Sequence, residues 1–146
     1  MTQSFVAPVD PATIPELPIG RMNATHHEEV ALVNRIAACL GEAGAPCAEL
    51  DALLSEWVAH TEAHFERENR WMRTYRFPAY PVHAGEHARV LERLRSLCAQ
   101  WRETGDPTAL ARFVHEDWPQ WFEQHLATMD AVTAQFLARV AGPDLE

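Results

Sequence analysis

Between Leu50 and Tyr75 the chain carries an apolar stripe at helical spacing, interrupted by His64 and Glu68, four residues apart and therefore one turn above each other. The same face holds Leu50, Leu53, Leu54, Trp57, Thr61, Trp71 and Tyr75, and His60 lies at its edge, one turn before His64. An imidazole and a carboxylate are thus aimed into what is otherwise a core. Burying such groups without partners costs roughly 2–7 kcal/mol each. A fold that accommodates this helix has to supply hydrogen bonds or a metal ion at that level.

The other helical patterns repeat the motif. A first helix is expected from about Met22 to Leu40, where Met22, His26, Val30, Val33, Ala37 and Leu40 recur at three and four residues and Gly41 or Gly44 supplies the stop. Pro46 opens the second helix, from about Cys47 to Tyr75, and the FPAYP segment ends it. A third, from about Val82 to Arg102, places His83, His87, Val90, Leu91, Leu94, Cys98 and Trp101 inward. A fourth pattern runs from Pro107 to Val140 with Asp106 as its cap, and its apolar face holds Phe113, Trp118, Phe122, His125, Met129, Val132, Thr133, Phe136 and Val140. Pro119 either kinks this helix or divides it into 107–116 and 118–140, with Asp117 as a second cap. No strand alternation or internal repeat is present. Four long helices with short connections predict an all-α, antiparallel up-down four-helix bundle over residues 21–141. Residues 1–20, with Pro8, Pro11, Pro15 and Pro18, form an extended arm, and its apolar Phe5, Val6, Ile14, Leu17 and Ile19 are expected to lie against the bundle.

Composition limits the partners. Acidic residues outnumber basic ones by 21 to 12, for a formal charge of −9, so nucleic acid and anionic membrane are excluded as expected partners. No apolar run approaches the ~20 residues of a membrane span and no secretory leader pattern opens the chain, so a cytoplasmic address is expected. Cys39, Cys47 and Cys98 form no Cys-x-x-Cys pair and read as reduced, small apolar filler.

The eight histidines are the unusual count. His27 and His115 fall off the stripes and are expected at the surface, but His26, His64, His83, His87 and His125 share faces with core residues, as do Glu68 and Asp130. Each of the four helices contributes, which is how a bundle holds metal in its core. Five imidazoles and two carboxylates exceed the needs of one tetrahedral zinc and suit two ions bridged by carboxylates, iron by donor type. Two other metal scaffolds are excluded: no Glu-x-x-His segment of the ferritin-like kind occurs, and no His-Glu-x-x-His.

The segments themselves resemble the bacterial hemerythrins. His64-Phe65-x-x-Glu68 followed by Met72, His83-x-x-x-His87, His125-x-x-x-x-Asp130 and the segment Met22-Asn23-Ala24-Thr25-His26 occur in the family's order, over roughly residues 19–135. The resemblance implies two iron ions, one held by His83, His87 and His125, the other by His26 and His64, with Glu68, Asp130 and an oxo or hydroxo group between them. It implies an open coordination position on the second iron where dioxygen, or another small diatomic ligand, binds reversibly for storage, transport or sensing, and a monomeric protein that is not an enzyme. Trp71, Met72, Trp118, Phe122 and Met129 are the expected pocket wall. A di-iron enzyme consuming peroxide or nitric oxide, and a metal-dependent regulatory module, are the alternatives on the same scaffold. Three positions depart from the family pattern: Asn23 stands where aspartate is usual, Glu29 where an apolar residue is usual and Asn69 where glutamate is frequent. His60 is a leftover imidazole beside the metal face that is expected to hydrogen-bond a ligand or fill the open position.

One spacing strains a regular helix. His125 and Asp130 lie five residues apart, about 140° around an ideal α-helix, so a single π turn is expected between them.

Overall fold

A computed structural model describes residues 6–41 and 46–146, and no strand occurs among them. Helix α1 spans Gly20–Leu40, α2 Leu50–Thr74 and α3 Tyr80–Thr104. The fourth rod, residues 108–141, is built from α4 (Thr108–Arg112), α5 (Trp118–His125) and α6 (Ala131–Ala141), joined without a break by π-helical turns at Phe113–Asp117 and Leu126–Asp130. The four rods form the expected all-α bundle, with α2 packed against both α1 and α3.

Local chemistry sets the ends. Gly41 stops α1 at φ +64° and Gly105 stops α3 at φ +69°, conformations that suit a residue without Cβ. Asp106 accepts from the backbone N–H of Thr108 at 3.0 Å and from its hydroxyl at 2.7 Å, so it serves the start of the fourth rod as expected. Asp117, by contrast, is helical (φ −72°, ψ −48°) and caps nothing. The π turn that Asp117 closes lies next to Pro119, whose missing N–H would otherwise leave a gap in the hydrogen-bond ladder, so the rod continues where a break was an alternative. Helix α2 begins at Leu50, later than the Pro46 start predicted. Gly44, the alternative stop, lies outside the described residues, as does Phe5.

Over residues 6–19 the arm holds a short 3-10 turn at Pro11–Thr13, and Asp10 and Ile14 on either side of it are extended. Two asparagines hold it. Asn23 accepts from the Leu17 N–H and donates to its carbonyl, both at 2.8 Å, and Asn34 does the same for Val9 at 3.3 and 2.8 Å. These side chains imitate the pairing a neighbouring strand would give, and they place Ile19 in the core. Val6 is left exposed, contrary to expectation.

Two apolar clusters fill the interior. The larger contains Val33, Ile36, Leu54, Trp57, Leu94, Phe113 and Trp118; the smaller contains Ile19, Met22, Trp71, Ala134 and Leu137. Along α1, α2 and the fourth rod the inward polar residues fall between these clusters in sequence, so the core is an apolar, polar, apolar sandwich along the bundle axis. Trp57 is fully buried and meets the rings of Phe113 and Trp118 at 5.9 and 6.0 Å. Trp57→Ala is expected to cost about 3–5 kcal/mol in a urea unfolding titration, since the rings around it cannot collapse onto the space. Val132 and Val140 are exposed rather than inward, because the π turn at 126–130 shifts the face that the following helix presents.

Cys39 and Cys47 are joined by a disulfide, contrary to the expectation of free thiols, because Gly41 ends α1 and the chain returns to bring Cys47 beside it. Cys98 is the free cysteine among the described residues, and burial pushes its thiol up to about 11. A raised thiol pKa means little thiolate at neutral pH, so native protein is expected to react negligibly with an aromatic disulfide reagent at pH 7–8. Reaction should gain only as pH climbs toward 11, and two further thiols should appear on reduction.

Candidate metal centre

The middle layer holds His26 from α1, His64 and Glu68 from α2, His83 and His87 from α3, and His125 and Asp130 from the fourth rod, all buried. They gather in two groups. In one, donor atoms of His83, His87, His125 and Asp130 lie within 4.8 Å of one another; in the other, those of His26, His64 and Glu68 do. All seven residues picked out in the sequence are therefore brought to one place, and His60 belongs to neither group.

Asp130 links the groups: its Oδ2 is 3.1 Å from His26 Nε2, and its Oδ1 is 3.1 Å from His125 Nε2 and 3.2 Å from His83 Nε2. The π turn makes this reach feasible, because the wider turn absorbs the extra residue and sets His125 and Asp130 on one face. Glu68 does the same from α2, with Oε2 2.6 Å from His64 Nε2 and Oε1 3.4 Å from His87 Nε2.

Several of these atoms approach without completing hydrogen bonds. Glu68 Oε1, Asp130 Oδ1 and His87 Nε2 are buried and lack a hydrogen-bond partner among the described residues. Outer contacts explain why. His87 donates its Nδ1 hydrogen to Asn69 Oδ1 at 2.8 Å, and His83 Nδ1 shares a hydrogen bond of 2.8 Å with the Thr133 hydroxyl, which can accept its hydrogen. A neutral imidazole has one hydrogen, so His87 presents Nε2 as a lone pair to the centre, and His83 does the same when its hydrogen lies on Nδ1. His83 Nε2 and His125 Nε2 also face each other at 3.3 Å. Converging lone pairs and carboxylate oxygens, already dry, are what a cation requires and what a hydrogen-bonded core avoids. The residues fit a metal centre.

The charges agree. Burial and the neighbouring Asp130 would raise the Glu68 carboxyl, but His64 and His87 outweigh them and hold it far below the usual range. Asp130 is likewise held low, against burial, by His125, His26 and His83. Burial lowers His87, more than Glu68 restores it. His64 and His125 are instead raised despite burial, by Glu68 and Asp130 respectively. Two anionic carboxylates in a dry interior call for balancing positive charge, which protonated imidazoles or bound cations can supply.

Residues 17–137 match the family described as the hemerythrin HHE cation binding domain. The chain belongs to the hemerythrin family. Similar proteins include the bacteriohemerythrin of Aquifex aeolicus (strain VF5), 33% identical over 116 residues that cover 80% of this chain and 87% of that one. The bacteriohemerythrin of Ralstonia nicotianae (strain ATCC BAA-1114 / GMI1000) is 36% identical over 125 residues, 84% of this chain and 82% of its own. No solved structure matches.

Aromatic rings cover the imidazoles of this hemerythrin domain. Phe65 stacks on His87 at 4.0 Å, Trp121 on His125 at 4.6 Å, and Phe122 meets His26 edge-on at 5.6 Å. Of the five expected wall residues, Phe122 takes that place, with Trp118 stacked behind it at 4.8 Å. Trp71 belongs to the smaller apolar cluster, Met72 is fully buried, and Met129 lines a surface cavity of about 260 Å³ beside His83. Phe65 and Trp121 were not singled out as wall residues, although Phe65 sits beside His64 in the family segment and Trp121 one turn before His125. His27 and His115 are exposed, as expected. Asn23 spends its side-chain hydrogen bonds on Leu17 of the arm rather than on His26. Among the described residues no helix is long and apolar enough to cross a membrane.

Proposed function

We propose that this chain is a non-haem di-iron protein that binds dioxygen, or a comparable small diatomic ligand, reversibly. His83, His87 and His125 would hold one ion, His26 and His64 the other, with Glu68 and Asp130 between them. The observation that carries the reading is the inequality of the two groups: three imidazoles converge in one and two in the other, while a carboxylate reaches into both. The poorer group leaves room for an external ligand. When bound, a pair of ferrous ions supplies the two electrons that dioxygen needs to be held and later released.

The chain's own residues do the rest. Asn69 fixes the hydrogen of His87 on its outer nitrogen, and the Thr133 hydroxyl holds the outer nitrogen of His83. Phe65, Trp121 and Phe122 keep bulk water from the rings and admit only a small ligand. Glu68 and Asp130 carry the negative charge that two cations offset.

A second reading, a di-iron redox protein consuming peroxide or nitric oxide, is favoured by one feature. Glu28, half in solvent, lies 3.2 Å from His60 Nε2, and His60 Nδ1 lies 3.7 Å from the buried Glu29 next to His64, so polar groups line a way in from the surface. Exposing the ferrous protein to air separates the two. Reversible binding predicts a visible charge-transfer band that persists for many minutes and disappears when dioxygen is removed. Decay within seconds to a ferric spectrum contradicts reversible binding and supports turnover.

A further inference from the structure

Glu29 is a buried carboxylate outside both donor groups. It sits almost one turn after His26 on α1, is 1% exposed, and among the described residues its hydrogen bond and ion pairs go to α2: Thr61 Oγ1 donates to its Oε1 at 3.1 Å, His60 Nδ1 is 3.7 Å from Oε1, and His64 Nδ1 is 3.7 Å from Oε2. Its ion-pair contacts among the described residues are both imidazoles.

The outer nitrogens of the clustered histidines differ. His87 has the neutral amide of Asn69 and His83 the neutral hydroxyl of Thr133. His26 Nδ1, His125 Nδ1 and His64 Nδ1 are buried without a hydrogen-bond partner, but His64 alone of these three has a carboxylate within 4 Å of that nitrogen. His64 Nε2 faces Glu68 at 2.6 Å, so that nitrogen is the one offered to a shared cation, and the single hydrogen of the neutral ring must then sit on Nδ1. Two donors to one cation stand further apart than the partners of a short hydrogen bond. From 3.7 Å, a shift of about half an ångström toward Glu29 would complete a hydrogen bond from Nδ1 to Oε2.

We propose, on the di-iron reading above, that Glu29 is a positioning residue: it takes the Nδ1 hydrogen of His64 and makes that ring a stronger metal donor, compensating the group that has one imidazole fewer. A carboxylate behind a ligating imidazole fixes its tautomer and raises its basicity. Here it acts on one ion and leaves the other alone.

Anaerobic titration with iron(II) against a competing chelator tests this on the full chain. Wild type takes up two ions in two resolvable steps. Glu29→Leu weakens one step by roughly 10–100-fold and leaves the other unchanged. Glu29→Gln, which keeps an acceptor oxygen without the charge, falls between wild type and Leu. Thr61→Val, which removes the hydroxyl on Oε1 and leaves Glu29 in place, shifts the same step by less and serves if Glu29→Leu fails to fold. Circular dichroism of the metal-free variants separates folding from binding. Unchanged affinities in Glu29→Leu, or equal weakening of both steps, overturn the proposal while leaving the di-iron reading intact. Uptake of fewer than two ions by wild type overturns that reading, and this proposal with it.

Discussion

Asp130→Ala is expected to release both metal ions rather than one. Asp130, like Glu68, touches histidines of both groups, and it reaches three of them: His26 through Oδ2 and His83 and His125 through Oδ1. Its removal takes a donor from each side and leaves imidazoles facing one another across a gap. The loss should exceed the roughly 10–100-fold that follows removal of an outer partner. Asp130→Asn is the sharper version, because it keeps shape and a hydrogen-bonding oxygen but removes the charge. Both variants should retain helical content by circular dichroism while metal analysis falls to background. Retention of a full complement by Asp130→Asn would show that the carboxylate does not join the two groups.

Stripping the metal should also destabilise the fold substantially. Without cations, buried carboxylates and imidazoles have only each other, and several of their polar atoms are unpartnered. A ligand held at a thousand times its dissociation constant adds about 4.1 kcal/mol to the folded state. For a chain of this size that corresponds to a melting shift on the order of 10 °C. Calorimetry before and after chelation measures it, and readdition of iron should restore the higher transition. His60→Ala, outside both donor groups, should preserve that difference. An unchanged melting temperature on chelation would mean that the polar layer is satisfied without metal.

Much of the architecture was legible in the sequence because the pattern repeats once per turn. The inward histidines recur with the core residues, so the periodicity that predicts a helix also picks out the polar residues gathered in the middle layer. His125 and Asp130 show the reasoning at its best: a five-residue spacing conflicts with an α-helix, and the structure resolves the conflict with a π turn. That turn also explains a failure. It alters the face presented by α6, so Val132 and Val140, counted as inward by simple periodicity, are exposed. The second π turn, before Pro119, lay behind the uncertainty over a break, since proline marks a disturbed ladder without saying how it is repaired.

What periodicity does not reveal is pairing between rods. Asn69 and Thr133 orient His87 and His83 from positions 18 and 50 residues away. Nothing in a one-dimensional pattern joins such partners, although polar residues beside ligands on an inward stripe are the signal to examine. Glu29 carried the clearest hint, being a carboxylate among apolar positions one turn from His26. Asn23 and Asn34 act on the arm's backbone, which side-chain patterns do not encode. The Cys39–Cys47 bond depends on a chain reversal after Gly41, and spacing by itself favoured free thiols.

Counting iron decides the central claim. Protein reconstituted anaerobically with ferrous iron, desalted and analysed for metal and protein should contain two iron ions per chain, and Asp130→Asn prepared in parallel should contain none. One tightly held ion per chain, or two that survive loss of the Asp130 carboxylate, would contradict a paired centre in the middle of this bundle.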